Sequence, residues 1–459
     1  MASTYVYWSP GSTFTGDKFT YSGWFKRGDL SARNCMLWAS SDGGSADYTE
    51  IEFQASGALH WANKPNGGTA GNLITNRLFR DPAAWYHLVF AWDTTASAGD
   101  RMRIYVNGVE ETSFATDSNP GSAETGCSLA TSGVEVDIGK QHASTYFFNG
   151  EMSHLNLTMG TAYAASDFGE TDSTSGIWTI NESPSVTHGT NGWQLNMEDR
   201  TNLDLDTSAN AYSFTTSGTL TATYDNPDNN FATMNPIYYW STGTTYSNGN
   251  TSLITSTANK GRPATMGVQA GKWYWEVQCN VNANGCTGIV SETAVTGADL
   301  DDSTVASGFD GYAGNRAIGY EFAAGDLMDV SSTSSAWAAT IADGDVVQVA
   351  LDLDNNKLYF GKNGTWQNSG DPTSGATGTG AVSITAHATL PALGDIWWFP
   401  LWHSFDTSCK GEFNFGNGYF GTTAVTSAQA DDAGIGAMEY DVPAGYYCLC
   451  TKNIKAYGG

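Results

Sequence analysis

The chain has 459 residues, 40% hydrophobic and 13% aromatic, enough for two or three domains with full cores and too apolar for a disordered chain. Lys and Arg total 20 against 47 Asp and Glu, and the net charge of −27 repels phosphate backbones and anionic bilayers, which argues against nucleic acid and membrane partners. Seven cysteines with neither a CxxC spacing nor histidines at zinc spacing argue against a disulfide framework and a zinc site, and read instead as small buried thiols.

From the N-terminus, MASTYVYWSPGSTF lacks a basic region followed by an apolar stretch, so it does not read as a signal peptide. The expected route is synthesis in a cytoplasm without general secretion. Apolar residues alternate with a period of two almost everywhere, the signature of half-buried strands. In WYHLVFAWD (85–93), Tyr86, Leu88, Phe90 and Trp92 share one face and His87, Val89 and Ala91 the other. In RMRIYV (101–106), Met102, Ile104 and Val106 alternate with Arg101, Arg103 and Tyr105, and Asn107-Gly108 then signals a tight hairpin. Helical periodicity is confined to one short turn within residues 162–168. Residues 224–236 (YDNPDNNFATMNP) hold two prolines and almost no strand pattern, which marks a boundary. The reading is an all-β chain of two antiparallel β-sandwich domains, 1–223 and 236–459, joined by a linker at 224–235. Cys448 and Cys450 share one face of the last strand.

DLDNNKLYF (352–360) opens like a calcium loop, with Asp352, Asp354 and Asn356 at alternate positions. Such a loop needs glycine sixth and glutamate twelfth, and those positions hold Lys357 and Asn363. A strand also runs straight into the aspartates. The stretch therefore reads as a hairpin, with Asp and Asn chosen for turn geometry.

That hairpin belongs to a series: GKWYWEVQ (271–278), IGYEF (318–322), GDVVQVALDLDNNKLYFGKNGTW (344–366), FPLWHSF (399–405) and GEFNFG (411–416). In order and spacing these resemble the SPRY domain, over about residues 236–420. YSGWFKRG (21–28), WYHLVFAWD, RMRIYVNGVE and FFNGEMSHLNL (147–157) resemble a laminin-G or concanavalin A-like jelly-roll. Residues 161–178, 187–197 and 229–236 resemble linking segments of virion and tail-fibre-like proteins of marine bacteriophages, and PAGYYCLCTKNI (443–454) is similar to their ends. The resemblance implies a non-enzymatic phage virion surface protein, a capsid decoration or a tail or fibre component. It would bind host or environmental glycans or proteins, with other virion proteins as partners and a homo-oligomer in the particle. The alternatives are a purely structural capsid or tail component and a carbohydrate-active enzyme.

Because SPRY domains bind through loops at one end, the resemblance makes Asp301, Asp302, Asp310, Tyr312, Asn315 and Arg316 the candidate ligand-binding residues. The competing reading is an acidic loop with a packed tyrosine. Asp117 and Asn119, expected on a loop of the jelly-roll half, are the candidate calcium ligands, and no cofactor other than calcium is expected. Glucan hydrolases of the concanavalin A-like fold use a strand of three alternating carboxylates. Glu135 and Asp137 in VEVDIGK come closest, but Gly139 and Lys140 stand where the third is needed; Glu50 and Glu52 in YTEIEF share a face and also lack a third member. None of His60, His87, His142, His154, His188, His387 and His403 falls in a catalytic motif. Trp397, Trp398 and Trp402 read as core packing. No catalytic residue is expected.

Overall fold

The computed structural model describes residues 4–43, 46–65, 68–141, 146–237, 243–280, 284–292, 317–329, 333–334, 336–386 and 396–458. Antiparallel sheets dominate, and the chain divides into two compact units, Met1–Ala222 and Thr223–Gly459. Both are β-sandwiches, as the period-two pattern requires. Among the described residues no helix is long and apolar enough to cross a membrane.

The first unit stacks two sheets. The eight-stranded sheet runs in the order Phe114–Ser118, Gly71–Leu78, Ala58–Lys64, Tyr48–Phe53, Asn34–Ala39, Val136–Ile138, Tyr5–Trp8 and Thr215–Ser217. The six-stranded sheet runs Trp193–Leu195, Gly150–Met159, Lys18–Arg27, Trp85–Asp93, Met102–Val106 and Val109–Glu110. Between them Ile51, Trp61 and Leu73 meet Phe19, Leu88, Phe90 and Trp92 in one core. Trp61 and Phe90 touch edge to face across it, their ring centroids 5.5 Å apart. At Asn107 and Gly108, φ is +48° and +81°, the left-handed geometry of the hairpin turn read from the sequence. A side chain at Gly108 would also strike the Trp178 ring, which lies 2.4 Å from where its Cβ would stand.

The strand Trp85–Asp93 is buried on both faces. Its second face, with Val89, lies beneath a layer built by Ala165, Phe168, Tyr163 and Trp178. The short turn in that layer is a 3-10 helix at Ala165–Asp167.

The second unit pairs a nine-stranded sheet, centred on Lys272–Asn280 and Val346–Asp352, with a six-stranded sheet centred on Gly285–Ser291 and Trp398–Ser404. Trp273, Trp275, Val349, Trp402 and Phe413 fill the core between them. The outer face of the larger sheet is covered in its turn: Met438, Tyr446, Cys448 and Cys450 pack with Phe231 on Tyr274, Ala350 and Tyr359. Tyr447–Cys448 even joins the sheet as a parallel neighbour of Trp273 and Tyr274.

This arrangement bears on three sequence readings. Asp352 ends a strand opposite Lys357, with Asn355 N–H on one carboxylate oxygen at 2.9 Å and Lys272 Nζ 3.1 Å from the other. Asp354 accepts from Gly271 N–H at 2.9 Å, so the DLDNNKLYF stretch is a hairpin with capping aspartates. The expected linker at 224–235 is instead built into the second unit. Phe231, Ala232 and Met234 are buried, Ala232 N–H bonds the Leu449 carbonyl at 2.9 Å, and Met234 bridges Ala264. Isolated bridges of this kind leave no period-two trace, so from sequence alone the segment reads as a linker. Trp398 and Trp402 are core residues as read, but Trp397 is 39% exposed, because alternation turns it outward between two inward neighbours.

Candidate functional site

On Tyr48–Phe53, Ile51 and Phe53 point into the core, so strand geometry turns Glu50 and Glu52 to the opposite face. Strand register then assembles partners that lie far apart in the chain. Glu52 faces His60 on the next strand and Glu50 faces Ala62, while Asn72 faces Ala62 from one strand further on. Arg33 enters from just before Asn34–Ala39. Its Nη2 lies 2.7 Å from Glu50 Oε1 and 2.6 Å from Glu52 Oε2, and its Nε donates to Glu52 Oε2 at 2.7 Å. One guanidinium thus holds both carboxylates, the fork geometry that arginine supplies and lysine does not.

A second ring of contacts fixes this group. His60 Nδ1 lies 3.2 Å from Glu52 Oε1 and its Nε2 3.1 Å from Asn72 Oδ1. Gln141 Nε2 donates to Glu50 Oε1 at 2.8 Å. The Tyr146 ring, 39% exposed, sits over Arg33 with 4.5 Å between guanidinium carbon and ring centroid. Burial, then the charge of Glu52, raises the Glu50 carboxyl above the usual range, with His60 and Arg33 drawing it back. Burial pulls the Arg33 guanidinium down, but hydrogen bonding and charge from Glu52 and then Glu50 hold it above its ordinary value. A shallow depression of about 400 Å³ opens over the cluster, lined by Arg33, Glu52, Gln54, Ala55, Ser56 and His60.

Chemically, this is a polar floor whose guanidinium carries an aromatic ring on one face. The side chains of metal-ligating type that gather within 4.8 Å among the described residues are Glu50, Glu52 and His60. Arg33 already stands between the two carboxylates as their cation, so the arrangement suits hydrogen bonding to a ligand better than holding an ion. It suits hydrolysis poorly too. A glycosidase needs one carboxylic acid free to give its proton and a second free to attack or to activate water. Glu50 and Glu52 are 7% and 1% exposed and share one guanidinium.

Asp301, Asp302, Asp310, Tyr312, Asn315 and Arg316 lie outside the described residues, as do His142 and His387. The strands that bracket the first six are described: Val290 pairs with Ala317 and Ser291 with Trp398, and Glu292 N–H bonds the carbonyl of exposed Trp397 at 2.8 Å. Asp117 is not on a loop but in the edge strand Phe114–Ser118, where its Oδ1 accepts from Asn119 Nδ2 at 3.0 Å. The edge position, with one pairing partner only, gave too short a strand signal to read. Asp137 is buried between Tyr7 and Trp38 in register, and Glu135 is half-buried beside it. His87 and His403 are fully buried and His154 and His188 bond Glu198 and Asn156, all structural positions. Sequence reasoning paired Glu50 with Glu52 but missed Arg33, His60, Gln141 and Tyr146. The one available signal was His60 at the outward position of ALHWANK, legible only once the pairing with YTEIEF is known.

Comparison with known proteins follows this division. Residues 1–162 match the laminin-G model described as the concanavalin A-like lectin/glucanases superfamily, and residues 272–387 match the SPRY domain. Among solved structures, the chain is similar to the SPRY domain of human HERC1, at 15% identity over 39% of this chain and 96% of that one, with a TM-score of 0.26. It is similar to the TRIM65 PSpry domain at 12% identity, covering 40% and 91%, TM-score 0.28. The native heptameric SAP-like pentraxin from Limulus polyphemus is similar at 17% identity, covering 34% and 69%, TM-score 0.25. No curated protein matches the sequence. The chain thus joins two domains of binding-module type, a concanavalin A-like sandwich and a SPRY sandwich.

Proposed function

We propose that this protein is a non-enzymatic binding protein that holds glycans on the outer face of the eight-stranded sheet. The observation behind this reading is the exposed Tyr146 ring stacked on Arg33, which lines the depression together with Glu52 and His60. A ring face receives the apolar face of a sugar, and fixed polar groups receive its hydroxyls. Display on a phage virion, with other virion proteins as neighbours, rests on the resemblance of residues 161–178, 187–197, 229–236 and 443–454 to virion proteins.

A glycan array tests the reading. Retention of at least one glycan class is expected, weakened about tenfold in Tyr146→Ala, equivalent to about 1.4 kcal/mol. An array on which the folded protein retains nothing sinks it and leaves the structural reading. Release of reducing ends from any retained glycan would establish an enzyme instead. Exposed Trp397, beside the strands that lead into residues 293–316, favours a second reading in which the SPRY loops bind. Retention unchanged in Tyr146→Ala and lost in Trp397→Ala would select it.

A further inference from the structure

In the second unit the chain makes a three-residue turn at Leu449, where Cys450 N–H donates to the Cys448 carbonyl at 3.0 Å. In an extended strand two residues span ~6.6 Å. The turn draws Cys448 and Cys450 closer, toward the ~5.5–6 Å at which disulfide-bonded Cα atoms are commonest. Both side chains are fully buried in one cluster with Phe231, Tyr274 and Tyr446.

The surroundings of the two sulfurs differ. Cys448 Sγ lies 3.0 Å from Asp431 Oδ2, a carboxylate positioned to take its proton. The same Asp431 oxygen accepts from Cys448 N–H at 3.0 Å and Asn453 Nδ2 at 2.6 Å, so it is held in place. The Cys448 side chain first, then the Asn453 N–H and the Asn229 amide, favour the thiolate at Cys450. Those donors hold Cys450 below the ordinary thiol value in spite of its burial. Burial pushes Cys35, Cys127, Cys279, Cys286 and Cys409 the other way. A thiolate is the reactive form of cysteine, so Cys450 is set apart from those five.

We propose that Cys448 and Cys450 form a peroxide-sensitive dithiol that closes to an intrachain disulfide. Cys450 Sγ attacks one oxygen of hydrogen peroxide and the O–O bond breaks. Cys450 becomes a sulfenic acid, and the other oxygen leaves as water with the proton that Cys450 gave up. Cys448 passes its proton to Asp431 and attacks the sulfenic sulfur. The S–S bond forms, the S–O bond breaks, and the oxygen leaves as a second water carrying that proton. Two thiols lose two electrons and one peroxide is reduced to two waters. The bond draws Cys448 from Asp431 and Cys450 from Asn229, loosening the segment that covers Tyr274 and Glu276.

The test exposes the full chain to hydrogen peroxide, removes the oxidant, denatures and alkylates, then maps the peptides by mass spectrometry. The expected result is loss of two of the seven alkylable thiols, Cys448 and Cys450, before the other five, with full recovery in dithiothreitol. In Cys448→Ser, dimedone is expected to label Cys450; in Cys450→Ser, Cys448 is expected to stay a thiol. Loss at Cys448 and Cys450 no faster than at Cys279 and Cys409 in the wild-type chain overturns the proposal, and that result does not depend on whether either variant folds. Labelling of Cys448 in Cys450→Ser as strong as that of Cys450 in Cys448→Ser overturns the assigned roles.

Discussion

Trp178 donates its indole N–H to Nδ1 of His87 across 3.1 Å, and the other ring nitrogen of His87 lies 3.0 Å from the Ser22 hydroxyl. With Nδ1 accepting, the ring is neutral and carries its proton on Nε2. Burial lowers the His87 value from 6.5 to about 3. The unfolded chain therefore binds a proton below pH 6.5 that the folded chain refuses until about pH 3. Stability from this group is complete above 6.5 and is lost as pH falls toward 3, at about 1.4 kcal/mol per pH unit. Urea unfolding of the wild type and of His87→Gln across pH 4–6.5 is expected to show that slope in the first and its loss in the second. Equal slopes would mean that His87 is charged in the folded protein.

Glu276 has the opposite sign. It is buried on the outer face of the nine-stranded sheet, where Glu439 N–H, Tyr440 N–H and Asn414 Nδ2 donate to it at 2.8, 2.9 and 3.1 Å, and the Tyr274 hydroxyl at 2.9 Å. Burial outweighs these donors and raises its value from 4.5 to about 7. Its contribution is complete below pH 4.5 and is lost as pH rises through 7. Glu276→Ala strands several buried donors at about 1–3 kcal/mol each. We expect a lower unfolding midpoint at all pH values, a flatter pH dependence between 4.5 and 7, and new proteolytic cuts near 437–446. Cuts unchanged from wild type would show that Glu276 does not fasten this segment.

Asp352 and Asp354 fasten a turn, which separates stability from calcium. Asp352→Ala removes the partner of Lys272 and Asn355 at a fully buried position and is expected to cost about 1–3 kcal/mol. Asp354→Asn keeps an oxygen for Gly271 N–H and is expected to be nearly neutral. Thermal unfolding with and without millimolar calcium should shift equally in wild type and Asp354→Asn. A calcium shift present only in the wild type would restore the ligand reading.

The boundary has a direct test in where a fragment begins. A fragment of residues 223–459 retains Phe231 and Met234 in its core, and one of residues 236–459 loses both. Removing large core side chains costs about 2–5 kcal/mol each. The longer fragment is expected to unfold cooperatively and the shorter to be unfolded or aggregated. Identical unfolding curves would return residues 224–235 to the role of a linker.

Much of this architecture is legible in the chain because strand alternation is local information. Leu88, Phe90 and Trp92 announce their face unaided, and Asn107-Gly108 announces its turn. What covers a sheet is not local. Nothing in His87, Val89 and Ala91 says that Phe168 and Trp178 return to bury them, or that Tyr446 and Cys448 return over Tyr274. The candidate site is hidden for the same reason. Arg33, Glu52, His60 and Tyr146 come from separate stretches: the register of Tyr48–Phe53 against Ala58–Lys64 sets Glu52 beside His60, its pairing with Asn34–Ala39 brings Arg33, and Tyr146 meets Arg33 from a fourth stretch. Trp397 shows the converse error, since a run of aromatics suggests core while alternation exposes every second residue.

The pairing of Tyr5–Trp8 with Thr215–Ser217 also sets how the first unit bears load. Tyr5 lies opposite Ser217 and Tyr7 opposite Thr215, so the chain enters and leaves at the same end of this antiparallel pair. Tension applied along the chain peels the two strands apart one hydrogen bond at a time, beginning at Tyr5 and Ser217, where shear would have to break every bond together. Under pulling, the first unit should therefore yield at this three-residue strand at low force while its Trp61–Phe90 core is still intact.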